Sequence, residues 1–167
     1  WINECPIKSQ IDLIGHSFGG FLALQLASRF PKKVRKVVLI DPFYNFQQLS
    51  KIHSFIFSKP RPFIKLWQIF QHFLRVNTPS PLILNIPKDI NYQTIQFNQI
   101  TQQVMIIWGE EDKTLNHLSF DLLTDLLPNA IAQPLPKCGH VPHRTHPKHV
   151  NKLIIKFLAS TQQSGTG

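Results

Sequence analysis

The sequence has few cysteines and no long apolar run. Cys5 and Cys138 are the two cysteines among 167 residues, too few for a disulfide framework, so reduced thiols and a cytoplasmic location are expected. No apolar run approaches the about 18 residues of a membrane helix, and no basic segment followed by an apolar stretch marks a signal peptide. These absences exclude a disulfide-rich domain and predict a chain without a membrane span.

Acidic residues and glycine are also scarce. The chain has 9 Asp and Glu against 18 Lys and Arg, a net charge of +9, which favours anionic surfaces or substrates. It has 7 Gly but 13 Phe, and 43% of its residues are hydrophobic, which excludes a disordered or low-complexity chain. Its length suffices for about one domain with its own core.

The first part of the chain alternates between strand and helix patterns. Residues Ile11–Ile14 form a short apolar run that predicts a buried strand, and apolar positions recur at helical spacing from Phe18 to Phe30. Pro31 ends that helix, and Val34–Ile40 is a second strand rich in valine. A helix between two strands predicts a right-handed crossover between parallel strands, hence the α/β class.

The alternation returns in the second part of the chain. We predict a buried strand at Val104–Trp108, a helix at Leu115–Leu127 and a weaker strand at Ala130–Leu135. Pro147 introduces a last helix whose apolar residues recur at helical spacing and would cover the sheet. These residues are Val150, Leu153, Ile154, Phe157 and Leu158.

Residues 42–95 interrupt this rhythm. The segment contains six prolines, seven phenylalanines and six basic residues against the single acid Asp89. Basic and aromatic residues together could contact nucleic acid or an anionic membrane surface. No nucleic-acid motif accompanies them, so we favour an insertion whose aromatics face an apolar substrate and expect no nucleic-acid partner. The chain then divides into 1–41, the insertion 42–95, 96–159 and a polar, flexible tail at 160–167.

The most specific motif is G-x-S-x-G at Gly15–Gly19, between a predicted strand and a predicted helix. A serine at such a strained turn exposes its hydroxyl above the sheet, and glycines on either side let the backbone pass closely. Ser17 is therefore a candidate nucleophile. The amide of Phe18, at the helix N-terminus, is a candidate oxyanion donor. The alternative is a turn without chemistry. His16 and Phe18 are also candidates for substrate contact, with turn packing as the alternative.

A serine hydroxyl needs a base and a carboxylate to orient that base. Asp112 and His140 each follow a predicted strand, and the carboxyl ends of parallel strands share one edge of the sheet with Ser17. Asp41 also ends a strand and is an alternative acid, although an Asp before Pro42 more often begins a turn.

The segments Gly15–Gly20, Trp108–Asp112 and Gly139-His140 resemble the nucleophile, acid and base segments of the α/β-hydrolase superfamily. The resemblance implies Ser17 as nucleophile, Asp112 as orienting acid, His140 as general base and residues 42–95 as a helical cap. Related branches carry Asp at the nucleophile position, so a serine implies acyl transfer, typically ester hydrolysis of a small-molecule substrate without a cofactor.

Family members begin with several more strands, so the chain resembles the carboxyl-terminal part of an α/β-hydrolase fold. The loop that supplies a second oxyanion N–H in the family has no counterpart here, which leaves Phe18 as the one identifiable donor. A non-catalytic hydrolase fragment with a basic cap as a binding surface is therefore the alternative function. Without an outer neighbour, the strand Ile11–Ile14 would be a sheet edge through which the chain self-associates.

A histidine series suggests a third function. Imidazoles at short intervals can bind zinc or copper, and the series consists of His140, His143, His146 and His149. Pro142 and Pro147 would interrupt any helix that aligned these rings, and no nearby cysteine or carboxylate completes the set. We therefore expect no metal site.

Overall fold

A computed structural model of the chain describes residues 9–44, 95–127 and 129–160. In these ranges the strands are β1 (Ile11–His16), β2 (Val34–Ile40), β3 (Gln103–Gly109) and β4 (Ala130–Leu135). The helices are α1 (Phe18–Arg29), α2 (Leu118–Leu126), α3 (Pro142–Thr145) and α4 (Pro147–Ala159), and a 3-10 turn spans Phe97–Gln99. Most of the predicted insertion 42–95, and the tail beyond Ser160, lie outside the described residues, so both assignments stay predictions.

The four strands form one parallel sheet in the order β1-β2-β3-β4. Helix α1 connects β1 to β2, and α2 connects β3 to β4. The predicted α/β class, with a mostly parallel sheet and flanking helices, is therefore confirmed. Because parallel strands point the same way, the residues that follow their carboxyl ends meet at one edge of the sheet.

Helix α2 begins at Leu118, later than the sequence predicted. Directly before the helix, Oδ1 of Asn116 accepts a hydrogen bond from the N–H of Leu118 at 3.1 Å, a local contact typical of a turn or a helix start. The residues before it lie in a separate turn, where Oδ1 of Asp112 accepts hydrogen bonds from the backbone N–H of Thr114 at 2.7 Å and of Leu115 at 3.1 Å.

Both faces of the sheet are covered at its two central strands, β2 and β3. One core cluster joins residues of β2 and β3, such as Val38 and Met105, to Val150 and Phe157 of α4, as the apolar spacing of the last helix predicted. Successive side chains alternate between faces, so Val37 lies on the opposite side from Val38. Val37 is fully buried too, and α1 contacts β1 and β2. The sheet therefore provides a buried, rigid support for its carboxyl edge.

The described helices are short. The longest of them, α4, has 13 residues, whereas a span of the membrane takes about 20. None of the helices in the described ranges is long and apolar enough to cross a membrane.

Lys36 links β2 to the end of α4. Its Nζ donates hydrogen bonds to the carbonyl oxygen of Phe157 at 2.6 Å and to Oγ of Ser160 at 2.8 Å, and lies 4.9 Å from the centre of the Phe157 ring. The last carbonyls of a helix have no donor within the helix, and a cation there is favourable. Burial nevertheless lowers the pKa of Lys36. The side chain thus fixes the carboxyl end of α4 against the sheet.

Strand β1 is more exposed than its apolar sequence predicted. Ile14 is 55% exposed and Leu22 of α1 is 48% exposed. Among the strands that the structure describes, β1 pairs with β2 alone, so its other side has no partner strand. An exposed edge of this kind favours pairing with another chain. Self-association through this edge stays a prediction.

Gly15 lies where β1 passes closest to α1. A Cβ atom added there would lie 2.3 Å from the backbone oxygen of Gly19, whereas a Cβ added to Gly19 meets no described atom within 4 Å. We predict that Gly15→Ala lowers the free energy of unfolding by about 1–3 kcal/mol, because the backbone must shift. Gly19→Ala should raise it by up to about 1 kcal/mol, because alanine favours the helix. Urea unfolding measures both, and equal effects would contradict the close approach.

Candidate active site

Ser17 lies on a strained turn between β1 and α1. Its backbone φ of 51° and ψ of −118° are in a region that residues other than glycine rarely adopt. The turn is held by hydrogen bonds from its N–H to the carbonyl of Ile40 at 3.0 Å, and from the N–H groups of Gly20 and Phe43 to its own carbonyl, each at 2.9 Å. These bonds use backbone atoms alone, so the hydroxyl of Ser17 remains available.

The structure brings Ser17, His140 and Asp112 together. Nε2 of His140 lies 3.0 Å from Oγ of Ser17, and Nδ1 lies 2.8 Å from Oδ2 of Asp112. The Asp112 side chain is 1% exposed and the His140 side chain 20% exposed. Oδ1 of Asp112 accepts the two backbone bonds from Thr114 and Leu115, so the carboxylate is fixed in orientation. With Nδ1 facing a carboxylate, Nε2 is the nitrogen that can accept the hydroxyl proton.

The loops that carry Asp112 and His140 pack directly against each other. A Cβ atom at Gly109 would lie 2.4 Å from the backbone oxygen of Gly139, and the N–H of Glu111 donates to the carbonyl of Cys138 at 2.8 Å. Cys138 is buried and its thiol is free. The close approach requires glycine at 109, and it sets the distance between acid and base.

His16 contacts the loop of His140. Its Nε2 donates a hydrogen bond to the backbone carbonyl of His140 at 2.7 Å, since a carbonyl oxygen can only accept. The His16 ring lies 5.1 Å from the ring of His140 and 4.5 Å from that of His143, centre to centre. Burial lowers the pKa of both His16 and His143. Sequence reasoning missed this supporting contact, and a role of His16 in substrate contact stays a prediction.

Phe18 is the first residue of α1. Its N–H belongs to the first helical turn, whose amides have no acceptor within the helix. The ring packs on Phe21 at 5.6 Å and approaches Phe43 at 6.4 Å, centre to centre. The amide is thus placed beside Ser17, while the ring belongs to an aromatic cluster. The oxyanion and substrate roles of Phe18 stay predictions.

Asp41, the alternative acid, is not bonded to the His140 ring. It is fully buried, and its Oδ1 accepts a hydrogen bond from the N–H of Gly109 at 2.9 Å. Its Oδ2 is buried without a hydrogen-bond partner, and its φ of 39° is unusual for a residue with a side chain. Burial raises the pKa of Asp41 to about 7, against the smaller opposing effect of the Gly109 hydrogen bond.

The described residues contain one group of three side chains that could approach a metal ion: Asp41, Asp112 and His140, with one atom of each within 4.8 Å of the others. Nδ1 of His140 and Oδ2 of Asp112 are already hydrogen bonded to each other at 2.8 Å, closer than the roughly 3.3 Å between two ligands of a tetrahedral zinc ion. In the histidine series, His146 contacts Oγ1 of Thr145 at 2.9 Å and His149 is exposed. The absence of a metal site stays a prediction.

Comparison with known proteins shows the family of the chain. A sequence model of the alpha/beta hydrolase family matches residues 4–152, and the chain belongs to that family. The chain is 25% identical to the alpha/beta hydrolase domain-containing protein VTE7 of Arabidopsis thaliana, over 92% of this chain and 54% of that protein. It is 24% identical to the mouse (Mus musculus) monoacylglycerol lipase ABHD6, over 94% of this chain and 57% of that protein.

The fold is also similar to solved structures. The meta-cleavage product hydrolase CumD of Pseudomonas fluorescens IP01 superposes with a TM-score of 0.63 at 19% identity, over 90% of this chain and 65% of that one. At this identity the likeness shows the fold alone. The chain spans about half the length of the curated relatives it matches, 54% and 57% for the two named above.

Proposed function

We propose that the protein is a serine hydrolase that acts on an ester or a related acyl substrate of small size. The observation that carries the proposal is the continuous row of hydrogen bonds from Asp112 through His140 to Ser17, at 2.8 and 3.0 Å. A base that is oriented by a carboxylate in this way activates a serine hydroxyl for attack on an acyl carbon. The positive φ of Ser17 is typical of the turn that exposes such a serine. The hydrolases among its relatives support the same class of reaction.

The reaction proceeds in two halves. Oγ of Ser17 attacks the acyl carbon while Nε2 of His140 takes the hydroxyl proton, and the N–H of Phe18 stabilises the negative oxygen that forms. The alcohol leaves with the proton from His140, which leaves an acyl group on Ser17. A water molecule then gives a proton to His140 and attacks the acyl carbon. His140 returns that proton to Oγ of Ser17 as the acid leaves, which restores both residues. Asp112 orients the ring throughout.

A fluorophosphonate probe tests the proposal. This reagent modifies a serine only when a neighbouring base activates its hydroxyl, so we predict covalent labelling of the purified protein at Ser17, located by peptide mass spectrometry. His140→Gln should reduce the labelling rate by on the order of 10³-fold or more, because it removes the base.

Ser28 provides the internal control for this labelling. It lies on the same helix α1, and its hydroxyl donates to the carbonyl oxygen of Gln96 at 3.3 Å rather than to a base. It should remain unlabelled. If Ser17 also remains unlabelled in the folded protein, the proposed reaction is wrong and the non-catalytic alternative is favoured.

A further inference from the structure

The site contains a carboxyl that the proposed reaction does not use. Asp41 follows β2 at the same edge of the sheet, and its N–H donates to the carbonyl of Ile107 in β3 at 2.9 Å. Its Oδ1 accepts from the N–H of Gly109, at the end of β3, at 2.9 Å. Asp41 is therefore fixed to β3, just before the loop that carries Asp112, by one backbone contact and one side-chain contact.

The second carboxyl oxygen of Asp41, Oδ2, makes no such contact. Oδ2 is buried and has no hydrogen-bond partner. A buried polar atom without a partner is costly and rare in folded proteins. One oxygen of Asp41, one of Asp112 and one ring nitrogen of His140 lie within 4.8 Å of one another. One oxygen of the Asp41 carboxyl is thus within 4.8 Å of one ring nitrogen of His140. Shortening that distance to a hydrogen bond of ~2.8 Å requires a movement of about 2 Å or less.

We propose that Asp41 is a reserve orienting acid: when Asp112 is lost, the Asp41 carboxylate takes over the hydrogen bond to the His140 ring and keeps part of the activity. Asp41 acts through His140 and never touches the substrate, so it is a positioning residue. The kinetic part of this inference rests on the proposed function.

Charge explains why Asp41 does not bind the His140 ring while Asp112 is present. Two carboxylates this close disfavour each other's ionisation, and burial disfavours it further. The groups that face Asp41 are Asp112 and His140, on the loops after β3 and β4, and the N–H of Gly109. Burial is the main cause of the raised pKa of Asp41, and the Asp112 charge adds to it. Removing that charge makes ionisation of Asp41 easier at the moment when the ring lacks a partner.

The test compares fluorophosphonate labelling rates at Ser17 between pH 5 and 9. Losing the orienting acid of a serine triad costs on the order of 10⁴-fold. With a reserve acid, we expect Asp112→Asn to cost roughly 10²-fold, and Asp112→Asn combined with Asp41→Asn to be at least about tenfold slower again. The labelling rate of Asp112→Asn divided by that of the double variant should rise with pH, because only Asp112→Asn retains a carboxyl at position 41 that can ionise.

Glu111 offers a matched control. It is an exposed carboxyl on the same loop, so Glu111→Gln combined with Asp112→Asn should label at the rate of Asp112→Asn alone. Asp41→Asn keeps an oxygen for the Gly109 N–H, which preserves that structural contact. The inference is wrong, and the role of Asp41 is structural, if two results are found together. Asp41→Asn would reduce the labelling rate by the same factor in the wild-type protein and in Asp112→Asn, and that factor would not change with pH.

A crystal structure of the Asp112→Asn protein decides the inference without any activity. The expected result is an Asp41 oxygen within about 3.2 Å of Nδ1 of His140. A ring that stays on the introduced amide overturns it. If the wild-type protein is not labelled at Ser17, the proposed function fails, and this structure still decides whether Asp41 can orient the ring.

Discussion

Replacing Ser17 by alanine is expected to reduce turnover of a short p-nitrophenyl ester by on the order of 10⁴-fold or more, because no other atom in the proposed reaction can form the acyl intermediate. The fold should survive the change. The turn is held through the backbone N–H and carbonyl of Ser17, which alanine retains. Initial rates at 25 °C, with circular dichroism spectra of both proteins, measure the two effects separately.

Ser28→Ala is the matched control for this prediction. It removes a serine hydroxyl from the same helix, at a buried position far from the His140 hydrogen bond, where Oγ meets the carbonyl of Gln96. Its rate should stay within about twofold of the wild-type rate, since it leaves the proposed machinery intact. Turnover by Ser17→Ala at the rate of the control would remove Ser17 from the mechanism.

Local patterns were enough to predict the turn at Ser17 and the strands around it. The motif at 15–19 lies between an apolar run and a helical repeat, and the structure shows why it needs glycine at Gly15, where an added Cβ would be 2.3 Å from a backbone oxygen. Asp112 and His140 could be paired with Ser17 because residues that follow parallel strands share one edge. The rule applies even to residues far apart in the sequence, such as His140 and Ser17, which are separated by 123 residues.

The remaining contacts depend on which strands are neighbours, and no local pattern encodes that order. The bond from His16 to the carbonyl of His140 joins residues 124 apart that share no repeat or motif. The sequence favours a turn at Asp41 because Pro42 follows it. Its burial arises because β2 lies between β1 and β3, which places the end of β2 beneath the loop after Gly109. The exposure of Ile14 has the same origin, since an apolar strand is buried only where neighbours cover it.

The buried carboxyl of Asp41 should make the stability of the protein fall as the pH rises. Burial favours the protonated form and raises the pKa of Asp41 from 3.8 to about 7. Between these two pH values the folded chain binds more protons than the unfolded chain, so the free energy of unfolding decreases with pH, and above about 7 it no longer changes through this group. The full interval corresponds to about 4 kcal/mol, at about 1.4 kcal/mol for each pH unit.

The difference between wild type and Asp41→Asn isolates this effect, because other titrating groups such as His16 and His143 are common to both proteins. Urea unfolding at pH 4 to 8 should show Asp41→Asn gaining up to about 4 kcal/mol on the wild-type protein as the pH rises, with the gain complete near neutral pH. Asp125→Asn, at an exposed position of α2, should differ from wild type by under about 0.5 kcal/mol throughout. A constant difference between wild type and Asp41→Asn across this range would mean that the Asp41 carboxyl ionises as readily in the folded chain as in the unfolded one. In that case its burial would carry no electrostatic cost, and Asp41 would already be charged beside Asp112 at pH 5.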